Sequence, residues 1–416
     1  MSTQKLEVIG LTCGIGSMLL GARTAGFKVL GNIEWRKYYH QQDEEGRNTF
    51  TENFKRAFFV HDVSELGQKI MNHATGVDLA MGHPECGNYS QLNQTNRSRV
   101  NDPGDIPLFV GLVKKIQPRF FVMDDLPKSF IAYSMKKYAE ELEEYDLFPE
   151  WISNYHYGNI QKNRRRMFMI GALKEERWAF IPSELEHDST VQSVIEDLYK
   201  HEGEFQNHER HVLKDNAAKG QHLLERDYRA TWKEVQSYFK KMGGGHVITY
   251  YAADGSIKTR PGTYKGHWDG HSHVMDGGSP AIHALRCLPY TIRERARIQG
   301  FPDSFKFYGT KLDRWGRWNH DKNVHMVKQT GKAMPIQFNT YIAKQIAAHI
   351  KGKAFKKCTH ERLIPPNPYV DNAKRWYCEN VGYSNQEAAC DNCWLLPSCN
   401  LPACAKPVPL DFGDYR

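Results

Sequence analysis

Leu6 to Trp35 reads LEVIGLTCGIGSMLLGARTAGFKVLGNIEW, and its order of apolar run, glycine turn, second apolar run and strand-end acid decides the fold. Leu6 to Leu11 is apolar enough for a buried strand, Cys13-Gly14-Ile15-Gly16 turns the chain, and Met18 to Ala25 is helix-forming. Val29 to Ile33 is a second strand that ends at Glu34. Such a unit opens a nucleotide-binding sheet. Glycines let the backbone approach a ligand, and an acid closing the second strand can take both hydroxyls of a ribose, although a tight turn with a solvated acid has the same pattern. Neither GxGxxG nor GxxxxGK[ST] occurs. An adenosyl cofactor without phosphates therefore fits better than a nucleoside triphosphate.

Further along, Phe58-Phe59-Val60 reads as a third strand with Asp62 beyond it. Val77 to Ser90, VDLAMGHPECGNYS, is a strand followed by a turn that presents Cys86 among Gly82, Pro84 and Gly87. Loops at the carboxyl edge of open α/β sheets carry chemistry, so Cys86 is a candidate nucleophile; an isolated thiol can equally be a small core residue. The polar run SQLNQTNRSRVNDPGD that follows reads as a loop beside the site, with Arg97 and Arg99 suited to phosphate contact. Phe109 to Ile116 is helical, and Arg119 to Met123 is a buried strand stopping at Asp124-Asp125, paired carboxylates where sites collect. Ala139 to Asp146, AEELEEYD, is expected to be a solvated helix face. Arg164 and Arg166 precede the strand Met167 to Ile170 and point the same way if that strand includes them.

The order of GxG turn, acid, Pro-x-Cys, strand-end acid and Arg-x-Arg resembles the DNA (cytosine-5-)-methyltransferase family. Arg286 to Phe305, RCLPYTIRERARIQGFPDSF, is similar to the segment after that family's target-recognition domain, most specifically at Gln299 to Asp303. Gln329 to Pro335, QTGKAMP, resembles its last motif, which leads a helix with Phe338, Ile342, Ile346 and Ile350 on one face back to the first strand. The resemblance covers residues 5 to 175 and 283 to 351. It implies a doubly wound, Rossmann-like α/β domain that binds S-adenosylmethionine, with a smaller target-recognition domain inserted. The implied boundaries are 1–175 and 283–353 for the catalytic domain and 176–282 for target recognition, where Tyr250-Tyr251, Tyr264-Lys265 and His267-Trp268 suit base stacking and phosphate contact.

The resemblance implies methyl transfer to carbon 5 of a flipped cytosine, with Cys86 as nucleophile, Asp124 as acid, and Arg164 and Arg166 holding the base. It implies cofactor contacts from Thr12, Gly14, Ile15, Gly16, Glu34, Trp35, Asp62, Val63, Gly331 and Lys332. Residues 91 to 104 would close over the base. Several positions depart from the family pattern. Pro-Pro-Cys-Gln is here Pro84-Glu85-Cys86-Gly87, and a carboxylate beside a thiol disfavours the thiolate. Glu-Asn-Val is Asp124-Asp125-Leu126, Thr12 replaces an aromatic, and the usual Gly-Asn is Gly331-Lys332. The Lys332 cation could pair with the carboxylate of a carboxylated S-adenosylmethionine. Carboxymethyl transfer, a catalytically silent nucleic-acid-binding homologue and an RNA cytosine methyltransferase stay open as alternatives.

Composition agrees with a globular chain. It has 416 residues, 40% hydrophobic and 25% charged, with a net charge of +8 and pI near 8.8, compatible with a polyanionic partner. No long apolar stretch or leader pattern is present, so the expectation is a cytoplasmic or nucleoid-associated monomer acting on double-stranded DNA, away from membranes. Six of the nine cysteines, Cys358, Cys378, Cys390, Cys393, Cys399 and Cys404, crowd the last sixty residues. In a reducing compartment this favours metal ligation. Residues 354–416 therefore read as a small metal-stapled module holding zinc or a 4Fe-4S cluster through Cys378, Cys390, Cys393 and Cys399. The Cys390-x2-Cys393-x5-Cys399 spacing is similar to the iron-sulfur loop of endonuclease-III-like glycosylases, but the gap from Cys378 is eleven residues where that family has six.

Overall fold

The computed structural model describes residues 5–60, 73–85, 104–126, 129, 133–182, 187–200, 247–251, 257–277, 282–285, 290–312, 318 and 322–353. Asp62, Val63, Cys86, residues 91–103, 201–246 and all of the Cys-rich tail lie outside them.

In chain order the elements are β1 (Glu7–Leu11), α1 (Ser17–Thr24), β2 (Lys28–Ile33), α2 (Lys37–His40), α3 (Thr49–Asn53) and β3 (Phe58–Val60). Then come β4 (Leu79–Gly82), α4 (Ile106–Ile116), β5 (Phe120–Asp125), α5 (Met135–Glu141), β6 (Tyr145–Ser153) and β7 (Arg165–Leu173). The remainder is α6 (Val191–Ile195), β8 (Val247–Tyr251), β9 (Ile257–Tyr264), α7 (Ile292–Ile298), α8 (Lys322–Lys332) and α9 (Ile336–Ile350). This is a mixed α/β fold with a seven-stranded sheet and a separate two-stranded ribbon of β8 and β9.

The chain divides into two compact units. The first is built from Met1–Ala74, Ser153–Arg165 and Leu185–Phe355. Its strands order as β3-β2-β1, parallel throughout. In β1, Val8, Ile9 and Leu11 are fully buried, which is why the strand reads as a continuous apolar run. Helix α9 buries Phe338, Ile342 and Ile346 as the spacing of four predicts, while Ile350 is half-buried. It lies so close to α1 that a Cβ on Gly21 would stand 2.7 Å from the Asn339 Cβ.

The second unit is built around Thr75–Ile152 and Arg166–Glu184. Strands β4 and β5 are parallel and β5 pairs with β7 antiparallel, so parallel and antiparallel ladders meet at β5. All six residues of β5 are buried, including Asp124 and Asp125. Helix α4 turns Phe109, Val110, Leu112, Val113 and Ile116 inward, the stripe an amphipathic helix needs.

Two expectations need correction. Ala139 to Asp146 is not one solvated helix: α5 ends at Glu141 and β6 begins at Tyr145, which is buried with its hydroxyl on the Pro118 carbonyl at 2.8 Å. Tyr145 is the only aromatic in that run, and its burial against Phe121 overrides the helix-forming glutamates. Strand β7 begins at Arg165, so Arg166 lies in it and Arg164 does not.

Within the first unit, Val191, Ile195, Leu198 and Met275 of the 176–282 stretch share an apolar cluster with Ile160, Tyr290 and Ile298, and Trp268 packs against the same cluster. Trp268 thus has a packing role that its neighbourhood of polar residues concealed.

Candidate functional site

In the first unit, the turn after β1 is a run of left-handed residues. Thr12 has φ 63°, Gly14 φ 55° and Gly16 φ 88°. For a β-branched residue this conformation is strained, and the surroundings hold it. Thr12 N–H donates to the Ile33 carbonyl at 2.8 Å, and its own carbonyl accepts from Arg36 Nη2 at 2.6 Å. Gly16 has no alternative, because a Cβ there would sit 2.6 Å from the Phe54 ring. Asn32 of β2 closes the turn from below: its Oδ1 accepts from Cys13 N–H and its Nδ2 donates to the Gly14 carbonyl, both at 3.1 Å.

Glu34 is fully buried beside this turn. Its Oε2 accepts from Gly14 N–H at 2.8 Å and from Arg36 Nη2 at 2.7 Å; its Oε1 accepts from Arg36 Nε at 2.6 Å and Arg36 N–H at 3.0 Å. A carboxylate has about four lone-pair sites, so all are filled. A ribose diol could bind Glu34 only by taking the places of the two guanidinium donors. The exchange conserves hydrogen bonds, two O–H for two N–H. Trp35 is half-buried, and its buried Nε1–H has no hydrogen-bond partner. Ile15 is 3% exposed, and the Thr12 side chain is turned inward onto the Leu11 carbonyl. An adenosyl group could use this cradle only if Arg36 gave up its bonds to Glu34.

The same unit holds Arg164 and the last motif. Arg164 is 7% exposed and donates to three backbone carbonyls: Met275 at 3.2 Å, Gly331 at 3.3 Å and Ala333 at 2.7 Å. It fixes the end of α8. Gly331 is required there by close approach, since a Cβ would stand 2.1 Å from the Asp276 carbonyl carbon. Lys332, the last residue of α8, is half-buried. Gln161 Nε2 donates to Gln299 Oε1 at 2.7 Å and Gln299 Nε2 to the Thr330 carbonyl at 2.7 Å. Three stretches far apart in sequence are thus joined by amide side chains.

In the second unit, Asp124 sits at the carboxyl end of β5, directly opposite Phe168 of β7. Arg166 shares Phe168's face and so lies diagonally across from Asp124. Its Nε donates to Oδ1 and its Nη2 to Oδ2, both at 2.9 Å, a two-pronged pair. His83, the first residue after β4, places Nδ1 2.7 Å from Asp124 Oδ2. Burial alone would raise the Asp124 pKa, but the Arg166 charge and the His83 hydrogen bond outweigh it and hold the carboxyl below the usual carboxylate range. Asp125, the next residue, accepts from Leu126 N–H at 2.6 Å. The register Gly82↔Met123 brings the turn leading to Cys86 and the carboxylate Asp124 to the same edge of two adjacent parallel strands.

Arg36 and His83 were not anticipated. Each had a signal: a cation two residues beyond a strand-end acid, and an imidazole closing an otherwise apolar strand three residues before Cys86. Among the described residues no group of three or more His, Cys, Asp or Glu could hold a metal ion, and no helix is long and apolar enough to cross a membrane.

The family model for C-5 cytosine-specific DNA methylase matches residues 6–348. A type II methyltransferase of Fusobacterium nucleatum, M.FnuDI, is 24% identical over 84% of this chain and 96% of its own length. M.HgiDI of Herpetosiphon aurantiacus is 23% identical over 83% and 95%. Among solved structures, one assigned as a DNA modification methyltransferase encoded within an E. coli prophage superposes with TM-score 0.56 at 21% identity, covering 83% of this chain and 99% of that one. At that identity the superposition speaks for the fold.

Proposed function

The chain belongs to the C-5 cytosine-specific DNA methylase family, and from that premise we propose that it methylates carbon 5 of a cytosine turned out of double-stranded DNA, with Cys86 as nucleophile. The observation that carries the reading is the shared edge of β4 and β5, where the turn toward Cys86 and the buried Asp124 leave adjacent parallel strands.

Carbon 5 of cytosine is a poor nucleophile. Addition of a Cys86 thiolate to carbon 6 turns the ring into an enamine, whose carbon 5 is nucleophilic; loss of the carbon 5 proton afterwards expels the thiolate. The base has to leave the helix stack for a thiol to reach carbon 6. Asp124 and Arg166 stand for the edge of the base that gains charge on addition. The turn of Thr12, Gly14, Ile15 and Gly16, with Glu34, Trp35, Asp62, Val63, Gly331 and Lys332, would hold S-adenosylmethionine. That cofactor supplies an electrophilic methyl on a sulfonium.

One observation favours a second reading. Asp124 is held ionised, and an ionised carboxylate donates no proton, as in a homologue that binds nucleic acid without turnover. DNA containing 5-fluorocytosine discriminates, because the carbon 5 fluorine cannot leave as a proton does. With S-adenosylmethionine present, the full chain should form a denaturation-stable adduct that Cys86→Ser abolishes. No adduct on DNA or on the corresponding RNA would leave the binding reading, and an adduct on RNA alone would change the substrate. The mass of the product base on ordinary DNA reads methyl against carboxymethyl, the group that a carboxylate paired with Lys332 would deliver.

The Cys-rich tail is a separate proposal: Cys378, Cys390, Cys393 and Cys399 hold zinc or a 4Fe-4S cluster as a stabilising module.

A further inference from the structure

We propose that His83 is the positioning residue for the acid of this site, holding Asp124 in place and carrying the proton that Asp124 delivers to N3 of the base. The inference rests on the methyl-transfer reading and deepens it.

Arg166 binds both Asp124 oxygens and never gives up its own proton, so it stabilises the carboxylate and works against the acid the chemistry requires. A proton has to come from elsewhere. His83 is the neighbour able to supply one: its side chain is 9% exposed, its Nδ1 stands 2.7 Å from Asp124 Oδ2, and Arg166 Nη2 lies 3.3 Å from the same nitrogen. Imidazole ordinarily titrates near pH ~6.5, between the ranges of carboxylates and ammonium groups. Asp124 from β5 and Arg166 from β7 are charged groups that face it. Glu85 follows two residues on in the same turn, and Asp105, just before α4, accepts Glu85 N–H at 3.3 Å. A purely structural strand end would bury an apolar side chain there. Burying imidazole against an ion pair costs desolvation that a proton-carrying role explains.

In the step, the Cys86 thiolate forms the S–C6 bond, the C5=C6 pair shifts to C4=C5, and the C4=N3 pair moves onto N3. The His83 imidazolium passes its Nδ1 proton to the ionised Asp124 as Asp124 hands one to N3, which leaves Asp124 a carboxylate again and the imidazole neutral. When the thiolate is expelled, the proton returns by the same path. The site therefore requires imidazolium, and the rate falls as pH rises through the apparent pKa of the pair.

The experiment is single-turnover methylation of cytosine DNA by the full chain between pH 5.5 and about 9. The wild type should follow a bell, since it needs the Cys86 thiolate and the imidazolium together, with a limit of about tenfold lost per pH unit on the alkaline limb. His83→Asn keeps an N–H donor toward Asp124 but cannot titrate; it should be slower by about 10²–10⁴ and keep only the rise with pH that follows ionisation of the Cys86 thiol, without the alkaline fall. A His83→Asn profile parallel to the wild type overturns the assignment. Nitrogen-15 imidazole shifts of the wild type give a reading that needs no variant: His83 should titrate over the range in which the rate falls, and a ring that stays neutral throughout overturns it. If the wild type traps no 5-fluorocytosine and methylates nothing at any pH, the methyl-transfer reading fails and takes the His83 assignment with it. If it methylates with a profile that His83→Asn shares, only the His83 assignment fails.

Discussion

Glu34 closes β2 fully buried, and Arg36 two residues on supplies two guanidinium donors to its carboxylate. A strand-end acid beside a glycine turn is legible because β2 is apolar up to Ile33 and then changes character. Its neighbour two residues on gave no periodic signal, since the chain leaves the strand at Glu34 and side-chain direction is no longer set by alternation. Yet Arg36 fills the carboxylate and pins the strained Thr12 carbonyl. With Glu34 fully buried and the Arg36 side chain 11% exposed, removing one partner strands a charge. Arg36→Met should therefore cost about 3–5 kcal/mol in denaturant unfolding. Glu34→Gln with Arg36→Met should cost less than the sum of the single changes, because the stranded charge is gone. Additive losses would show that the pair is not what holds the turn. The pairing of His83 is illegible in sequence for a similar reason: a loop residue's partner across a sheet is set by register, and Asp124 lies forty-one residues away.

At the scale of elements, the parallel strands were readable because strands buried on both faces are continuous apolar runs. The boundaries that failed were those set by tertiary contacts. Tyr145 starts β6 inside a run of helix-forming glutamates, and Arg164 falls one residue short of β7. Helix α8 shows the same dependence on context. Its His325 is 3% exposed, packs edge-on against Tyr38 at 4.4 Å, and accepts from Thr310 N–H through Nδ1 at 3.0 Å. Burial, aided by the charge of Lys328, pushes its pKa down to about 4. The unfolded chain would protonate this ring near pH ~6.5, so as pH falls from there to the folded value the unfolded state binds a proton that the folded state refuses. The contribution is fully present above that range and is lost within it, amounting to about 3 kcal/mol. Denaturant midpoints measured from pH 7 down should fall over this window, and His325→Gln should flatten the fall. An unchanged pH dependence in that variant would assign the loss to other groups.

At the scale of the whole molecule, the family match ends at residue 348 and six of the nine cysteines follow it. Motif order was enough to place 5–175 and 283–351 in one fold. It could not show that Val191, Ile195 and Met275, from the stretch between, join the core of the first unit, because isolated apolar residues in a polar segment carry no period. The tail has the opposite character, since its information lies in spacing alone. Four thiolates around one metal would close a chain segment too short to bury a core of its own, so metal binding there would be folding energy. The eleven-residue gap before Cys390 is wider than the similar iron-sulfur loop uses, which favours zinc. The full chain, purified without oxygen, should carry zinc and stay colourless, and Cys393→Ala should lose that metal while its 5-fluorocytosine adduct still forms. A brown protein absorbing near ~400 nm would instead establish the cluster. Loss of the adduct together with the metal would mean that the tail supports the site, and that the chemistry of Cys86 depends on a module the family match does not include.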